Sequence, residues 1–188
     1  MTAPTIDILR RCQAGDTNAF RHLVEYYQSF AYALAYRMLF CREEAEDVVQ
    51  ESFVRVWRHM KTFNHRQKFT TWFYKIVTNL CYDKMKANRR RKNVIIPQSG
   101  EQALNPSSHE DLEEDIVNKD LVARIEKFID ELSTRQKSVF VLRDLQNLEV
   151  REVARILGIS ESSVKTNLFF ARQNIRNKLN ESGYIDVL

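Results

Sequence analysis

Apolar residues recur every three or four positions along most of the chain, and the recurrences fall into separate stripes. The first follows Gly15, where Asp16 is placed to cap a helix. Phe20, Leu23, Val24, Tyr27, Phe30, Ala31, Leu34 and Met38 then line one side of a long amphipathic segment. A second stripe opens near Arg42 and gathers Ala45, Val48, Val49, Ser52, Val56 and Met60. A third opens near Thr70, turns Phe73, Ile76, Val77 and Leu80 inward, and runs into Asn88-Arg89-Arg90-Arg91-Lys92. Beyond an aperiodic stretch, Val117, Leu121, Ile125, Phe128 and Leu132 make a fourth. Ser133-Thr134-Arg135-Gln136 then reads as a capping box that opens another helix.

The sharpest local pattern lies near the C-terminus. Glu149 to Leu157 reads as a short helix, Gly158 sits where a left-handed turn residue is wanted, and Ser160 can cap a longer helix reaching about Leu179. Short helix, glycine turn and longer helix make the helix-turn-helix pattern. At 100° per residue, Val164, Leu168, Ala171, Ile175 and Leu179 face a core. Ser162, Thr166, Phe169, Phe170 and Gln173 face out, and Lys165, Arg172 and Arg176 lie along one flank. Between Glu161 and Glu181 there is no acidic residue. Short donors, two aromatics and a positive edge suit base edges and phosphates in a major groove. An αα-hairpin with a solvated basic face is the plainer alternative.

The polar faces of the earlier helices differ in character. The second stripe's outward face carries Asp47, Gln50, Glu51, Val54 and Arg58, with Val54 apolar at its centre. This face suits either solvent or a protein partner, since DNA would reject its carboxylates. From Met60 to Lys75 cations and aromatics interleave, and Lys75, Asn79, Tyr82 and Lys86 face outward. Aromatics beside cations suit unstacked single-stranded bases, although a packed core with a basic rim would show the same residues.

Composition narrows the class. Only 4 Gly and 3 Pro occur among 188 residues, too few for the turns of an all-β fold. The expected fold is all-α, with two helical domains joined by a flexible linker: about 5–91, a linker at 92–115, and about 116–182. Charge follows the same division. Residues 1–91 hold 16 Lys/Arg against 9 Asp/Glu, residues 92–117 hold 1 against 6, and residues 118–188 hold 12 against 10. No apolar run approaches the ~18 residues of a membrane span, and no signal peptide is visible at the start, so no membrane insertion is expected. Cys12, Cys41 and Cys81 are isolated, which argues against a disulfide framework and for a reducing, cytoplasmic setting. His22, His59, His65 and His109 are scattered without metal spacing, and there is no glycine-rich phosphate loop. No enzyme, metal or cofactor is expected.

The order of parts resembles a known family. Ala45-Glu46-Asp47-Val48-Val49-Gln50-Glu51-Ser52-Phe53-Val54-Arg55-Val56-Trp57 resembles the polymerase-binding helix of bacterial sigma factors. Phe69-Thr70-Thr71-Trp72-Phe73-Tyr74-Lys75-Ile76-Val77-Thr78-Asn79 resembles their promoter-melting helix. Leu148 through Leu179, with Leu157-Gly158-Ile159-Ser160 and Val164-Lys165-Thr166, resembles their upstream-element reader. A chain with only these two domains is similar to the extracytoplasmic-function (ECF) sigma factors of the sigma-70 family.

That resemblance implies a role for each part. Asp47, Gln50, Glu51 and Val54 would meet core RNA polymerase. Lys61, Asn64, His65, Phe69, Trp72, Lys75 and Asn79 would hold the minus-10 strand of promoter DNA. Ser162, Ser163, Lys165, Thr166, Phe169, Phe170 and Arg172 would read the minus-35 element, and the acidic linker would run through the RNA-exit region. An anti-sigma factor is the usual further partner. Many relatives carry Arg at the positions of Asn167 and Phe170, which implies a different minus-35 preference here. The rival readings are a stand-alone DNA-binding regulator, which would not need the face around Val54, and a helical protein–protein adaptor, which would bind no DNA.

Overall fold

A computed structural model describes the backbone of residues 4–94 and 113–182, and the side chains of 4–91 and 121–182. Most of the expected linker and the Val117 side chain lie outside the described residues, as does His109. Eight α-helices follow in order: α1 Ile6–Gln13, α2 Thr17–Leu39, α3 Arg42–His59, α4 Phe69–Val94, α5 Glu113–Asp130, α6 Thr134–Phe140, α7 Val150–Leu157 and α8 Glu161–Glu181. No strand occurs among the described residues, so the all-α expectation holds for them.

α2, α6 and α8 start where a side chain satisfies free amides of the first turn. The Asp16 carboxylate accepts from the backbone N–H of Asn18 and Ala19 at 2.9 and 3.1 Å. Those bonds, with the Arg11 guanidinium 2.8 Å away, hold its carboxyl below the usual range. Ser133 and Gln136 form the expected capping box on α6. α2 ends at Phe40, a non-glycine residue in the left-handed region at φ 49°.

α2, α3 and α4 enclose one core. Leu23, Leu34, Met38, Val48, Val56, Phe73 and Val77 are fully enclosed there. Phe73 is the hub of its aromatic part, with the Phe53, Tyr27 and Phe69 rings 5.1, 5.6 and 5.8 Å away. Phe30 departs from the expected stripe. It is 47% exposed, about 60° from the middle of the buried face of α2, with the Tyr26 ring 5.9 Å away. In the C-terminal half, Leu132, Val139, Leu142, Val153, Ile156, Val164, Leu168 and Ala171 form the core under α8. A π-helical turn, Val141–Leu145, extends α6.

The two halves meet along a seam in which α7 packs on α4. Lys68 Nζ reaches Glu152 Oε1 at 2.7 Å, and an Arg37 amine donates to the Leu145 carbonyl at 2.7 Å. Lys137 of α6 lies over the Phe40 ring at 4.5 Å, bonded to Asp130 at 2.8 Å and only 1% exposed. Burial pushes its ammonium below the usual lysine range, against the pull of Asp130. The ammonium is stripped of water while Asp130 stays 58% exposed, so the screened pull of that carboxylate repays the burial poorly and an apolar isostere loses little. Lys137→Met is therefore expected to leave the melting temperature unchanged or raise it. A fall of several degrees in a thermal melt would show that the ammonium itself holds the seam.

Candidate nucleic-acid and polymerase interface

α8 presents two chemically distinct sides. Gly158 takes φ 65° and closes α7, and the Ser160 hydroxyl then accepts from Ser163 N–H at 3.1 Å to open α8. That start fixes the helix phase. Val164, Leu168, Ala171 and Ile175 are buried; Ser162, Lys165, Thr166, Phe169, Phe170, Arg172 and Gln173 are exposed. Phe169 and Phe170 are 62% and 48% exposed, with rings 5.5 Å apart at 72°. Two large rings standing in water cost free energy unless something covers them. Lys165, Phe169, Arg172, Gln173 and Arg176 line an open groove of about 470 Å³ along the cationic flank.

Two side chains of this set are already engaged. The Arg172 guanidinium makes a bidentate pair with Asp144 at 2.8 and 2.7 Å, which raises its pKa further. Asp144 stands on the π-helical turn 28 residues earlier, a proximity with no local signal in the sequence. Ser163 is half-buried, and its carbonyl and hydroxyl both accept from the Asn167 amide at 2.7 and 3.3 Å.

The loop before α4 is built on a buried ring. Phe63 is enclosed, and His65, Trp72 and Phe69 pack around it at 5.2, 5.0 and 5.7 Å. Gln13 of α1 ties the loop down. Its amide donates to the Met60 and Phe63 carbonyls at 3.2 and 2.9 Å, and its oxygen lies 2.6 Å from His65 Nε2. Asn64 Oδ1 accepts from the Arg66 amide at 2.9 Å, a local turn that exposes the rest of its side chain. Lys61, Asn64 and His65 are exposed, as are Lys75 and Asn79 on α4. Trp72 is half-buried, seated on Phe63 and Phe69.

Phe69 requires a correction. It is 6% exposed, stacked on Phe73 and packed on Tyr27, so it supports the surface from beneath and is closed to DNA. Helical phasing could not place it, because it is the first residue of α4 and is covered by α2. Gln13 was missed for a related reason. α1 is eight residues long and lies outside the stripes read from the sequence.

On α3, Asp47, Gln50 and Val54 share an exposed face, with Val54 42% exposed and Trp57 beside it. Asp47 reaches Lys84 of α4 at 3.0 Å, and the half-buried Glu51 pairs with Arg55 at 2.9 Å. Both pairs are exposed enough to open at little cost. Burial pushes the Cys12 and Cys81 thiols up to about 11 and about 12, so neither is a nucleophile near neutrality. Among the described residues no group of three His, Cys, Asp or Glu side chains could hold a metal.

Comparison with known proteins follows the same division. Sigma-70 region 2 matches residues 23–91 and Sigma-70, region 4 matches residues 123–175. The ECF RNA polymerase sigma factor SigW of Bacillus subtilis is 32% identical over 178 residues, covering 92% of this chain and 95% of that protein. An ECF RNA polymerase sigma-E factor of Haemophilus influenzae is 29% identical over 177 residues, covering 92% and 93%. Among solved structures, CnrH in complex with the cytosolic domain of CnrY shares the fold, with a TM-score of 0.67 and 22% identity over 93% of this chain and 96% of that one. The chain belongs to the ECF sigma factors of the sigma-70 family, non-enzymatic initiation factors that direct RNA polymerase to promoters.

Proposed function

We propose that α3 docks the chain on core polymerase, the loop from Lys61 to Lys68 with α4 captures the opened minus-10 strand, and α8 reads the minus-35 element. The observation that carries this reading is the seating of Trp72. Its indole is held from beneath by Phe63 and Phe69, and Lys75 and Asn79 follow at successive turns of the same helix. An aromatic fixed beside cations is a platform for a base that has left its stack. Melting follows because only the open strand can make that contact. The exposed Val54 face favours a polymerase subunit over a stand-alone regulator. The working place is then the cytoplasm, beside the polymerase; no helix among the described residues is long and apolar enough to cross a membrane. An anti-sigma factor belongs to the same proposal. The CnrH structure holds the cytosolic domain of CnrY, and a Bartonella quintana sigma factor of the same fold was solved with the anti-sigma factor NepR. Run-off transcription with purified core polymerase tests the whole reading. Initiation that depends on the added protein supports it; equal transcripts without the protein refute it.

α8 yields two further expectations. Phe170→Arg places a guanine-seeking side chain where an apolar ring now stands. A randomised minus-35 library selected with each protein should recover different bases, at ~1–3 kcal/mol per matched contact. Recovery of one sequence by both proteins would mean that Phe170 does not face the bases. Lys165→Ala should weaken all promoters alike and lower the salt slope by about one unit. Arg172→Ala should cost more, since it also leaves Asp144 unpaired beside DNA, and Asp144→Asn in that background should recover part of the loss. If Asp144→Asn recovers nothing, the pair does not shape the DNA surface.

A further inference from the structure

α1 stands before the stretch that Sigma-70 region 2 matches, yet its last residue reaches into the strand loop. The Gln13 amide nitrogen lies between two backbone carbonyls, Met60 O at 3.2 Å and Phe63 O at 2.9 Å. A carbonyl only accepts, so the nitrogen must face them; the flipped amide would set its oxygen against two others. Each amide hydrogen then goes to one carbonyl, and the Gln13 oxygen is left pointing at His65 Nε2, 2.6 Å away. That oxygen has no proton to give, so Nε2 carries the hydrogen and donates it. In a neutral imidazole the other nitrogen, Nδ1, is then a bare acceptor. His65 is exposed and makes no other hydrogen bond among the described residues. Its ring packs edge-on against Phe63 at 5.2 Å, and the Trp72 indole packs on the same ring at 5.0 Å. Imidazole and indole stand on one buried support.

We infer that Gln13 and His65 act as a pair that selects the base held in the strand loop: Gln13 fixes the imidazole with Nδ1 as a lone-pair acceptor, and Nδ1 accepts from the exocyclic amine of the unstacked base. The inference rests on the proposed minus-10 site and adds a rule of selection to it. An acceptor has nothing to offer a phosphate and suits a base edge. Adenine, cytosine and guanine each carry an exocyclic amine, and thymine carries none. The ring N–H of thymine is flanked by two carbonyl oxygens, which an acceptor repels. The pair therefore favours an amine-bearing base and rejects thymine. Gln13 is a positioning residue, since it works through His65. Without it the imidazole is free to turn and to move its proton, and either nitrogen then donates or accepts. What is lost is discrimination between bases, more than grip on the strand.

The test uses holoenzyme assembled with the full chain, above the titration range of a free imidazole. A randomised minus-10 strand library selected with the parent supplies a single-stranded probe, which is then varied one position at a time. At one position the parent should bind an amine-bearing base about twofold to tenfold more tightly than thymine, and than the same base stripped of its amine, the worth of one hydrogen bond. Gln13→Leu, which keeps the bulk and removes both polar atoms, should erase that preference. His65→Ala, an exposed truncation, should erase it as well, and adding Gln13→Leu to His65→Ala should change it no further. A parent with no such preference at any position overturns the inference. A Gln13→Leu protein that binds every probe more weakly yet keeps the preference overturns it too, since the glutamine then only holds the loop. A preference that survives His65→Ala assigns the reading to another residue and likewise overturns it. The underlying strand site is judged separately, on total affinity. If Trp72→Ala binds the selected probe as well as the parent does, that site falls, whatever the preference between bases.

Discussion

Val54→Glu combined with Gln50→Ala is expected to weaken binding to core polymerase by roughly a hundredfold while leaving the helical content intact. Val54 stands at the centre of the α3 face, 42% exposed and flanked by Gln50 and Trp57. In solution a glutamate there is simply hydrated, so the fold loses nothing. In a closed contact the same carboxylate is stripped of water without a partner. An uncompensated charge of that kind costs about 3 kcal/mol or more, and each 1.4 kcal/mol is tenfold in Kd. Gln50→Ala removes the neighbouring amide whose N–H could otherwise rotate and donate to the new carboxylate. Titration of labelled core polymerase measures the change, and circular dichroism checks the helices. Parental affinity in the double variant would remove this face from the polymerase interface and leave Val54 as ordinary solvent-exposed surface. Asp47→Ala should do far less in the free protein, since its pair with Lys84 is exposed.

The long helices were legible because each carries its own period, and α2, α6 and α8 were also marked by their caps. Asp16, Ser133 and Ser160 all cap as the sequence suggests, and the buried side of α8 is the one its spacing predicts. Periodicity fails where burial depends on a second element. Phe30 repeats with its stripe but lies at its edge, and no helix covers it. Phe69 sits in a run of cations that looks like surface, yet α2 covers it. The contacts that shape the binding surfaces are also long-range. Gln13 reaches Phe63 across 50 residues, Arg172 meets Asp144 across 28, and Lys68 meets Glu152 across 84. A sequence read one helix at a time identifies which side chains are exposed. It does not reveal that several of those cations already hold partners, or that a glutamine of α1 positions the loop.

The seam between the halves also bears on the strand site. Lys68 is the last residue before α4, and its ammonium is neutralised by Glu152 of α7. Trp72, one turn further on, has its underside fixed by Phe63 and Phe69, and its remaining surface is free to stack. Trp72→Ala is therefore expected to slow open-complex formation by about fivefold to 150-fold, the range given by ~1–3 kcal/mol per stacked base. Closed binding, which depends on duplex contacts, should change little. A fluorescent base analogue in the minus-10 segment reports the opening step. Because the indole is partly packed on Phe63 and Phe69, the substitution also removes support from the loop, and a melting curve must accompany the kinetics. Two further variants separate the effects. Trp72→Tyr keeps an aromatic face and should recover most of the opening rate. Phe69→Ala, closed to DNA, should lower the melting temperature more than Trp72→Ala does and slow opening only as far as it loosens the loop. Opening at the parental rate in folded Trp72→Ala protein would exclude the indole from melting. A rate that follows the melting temperature across all three variants, with no gain from the tyrosine, would reduce Trp72 to a packing residue.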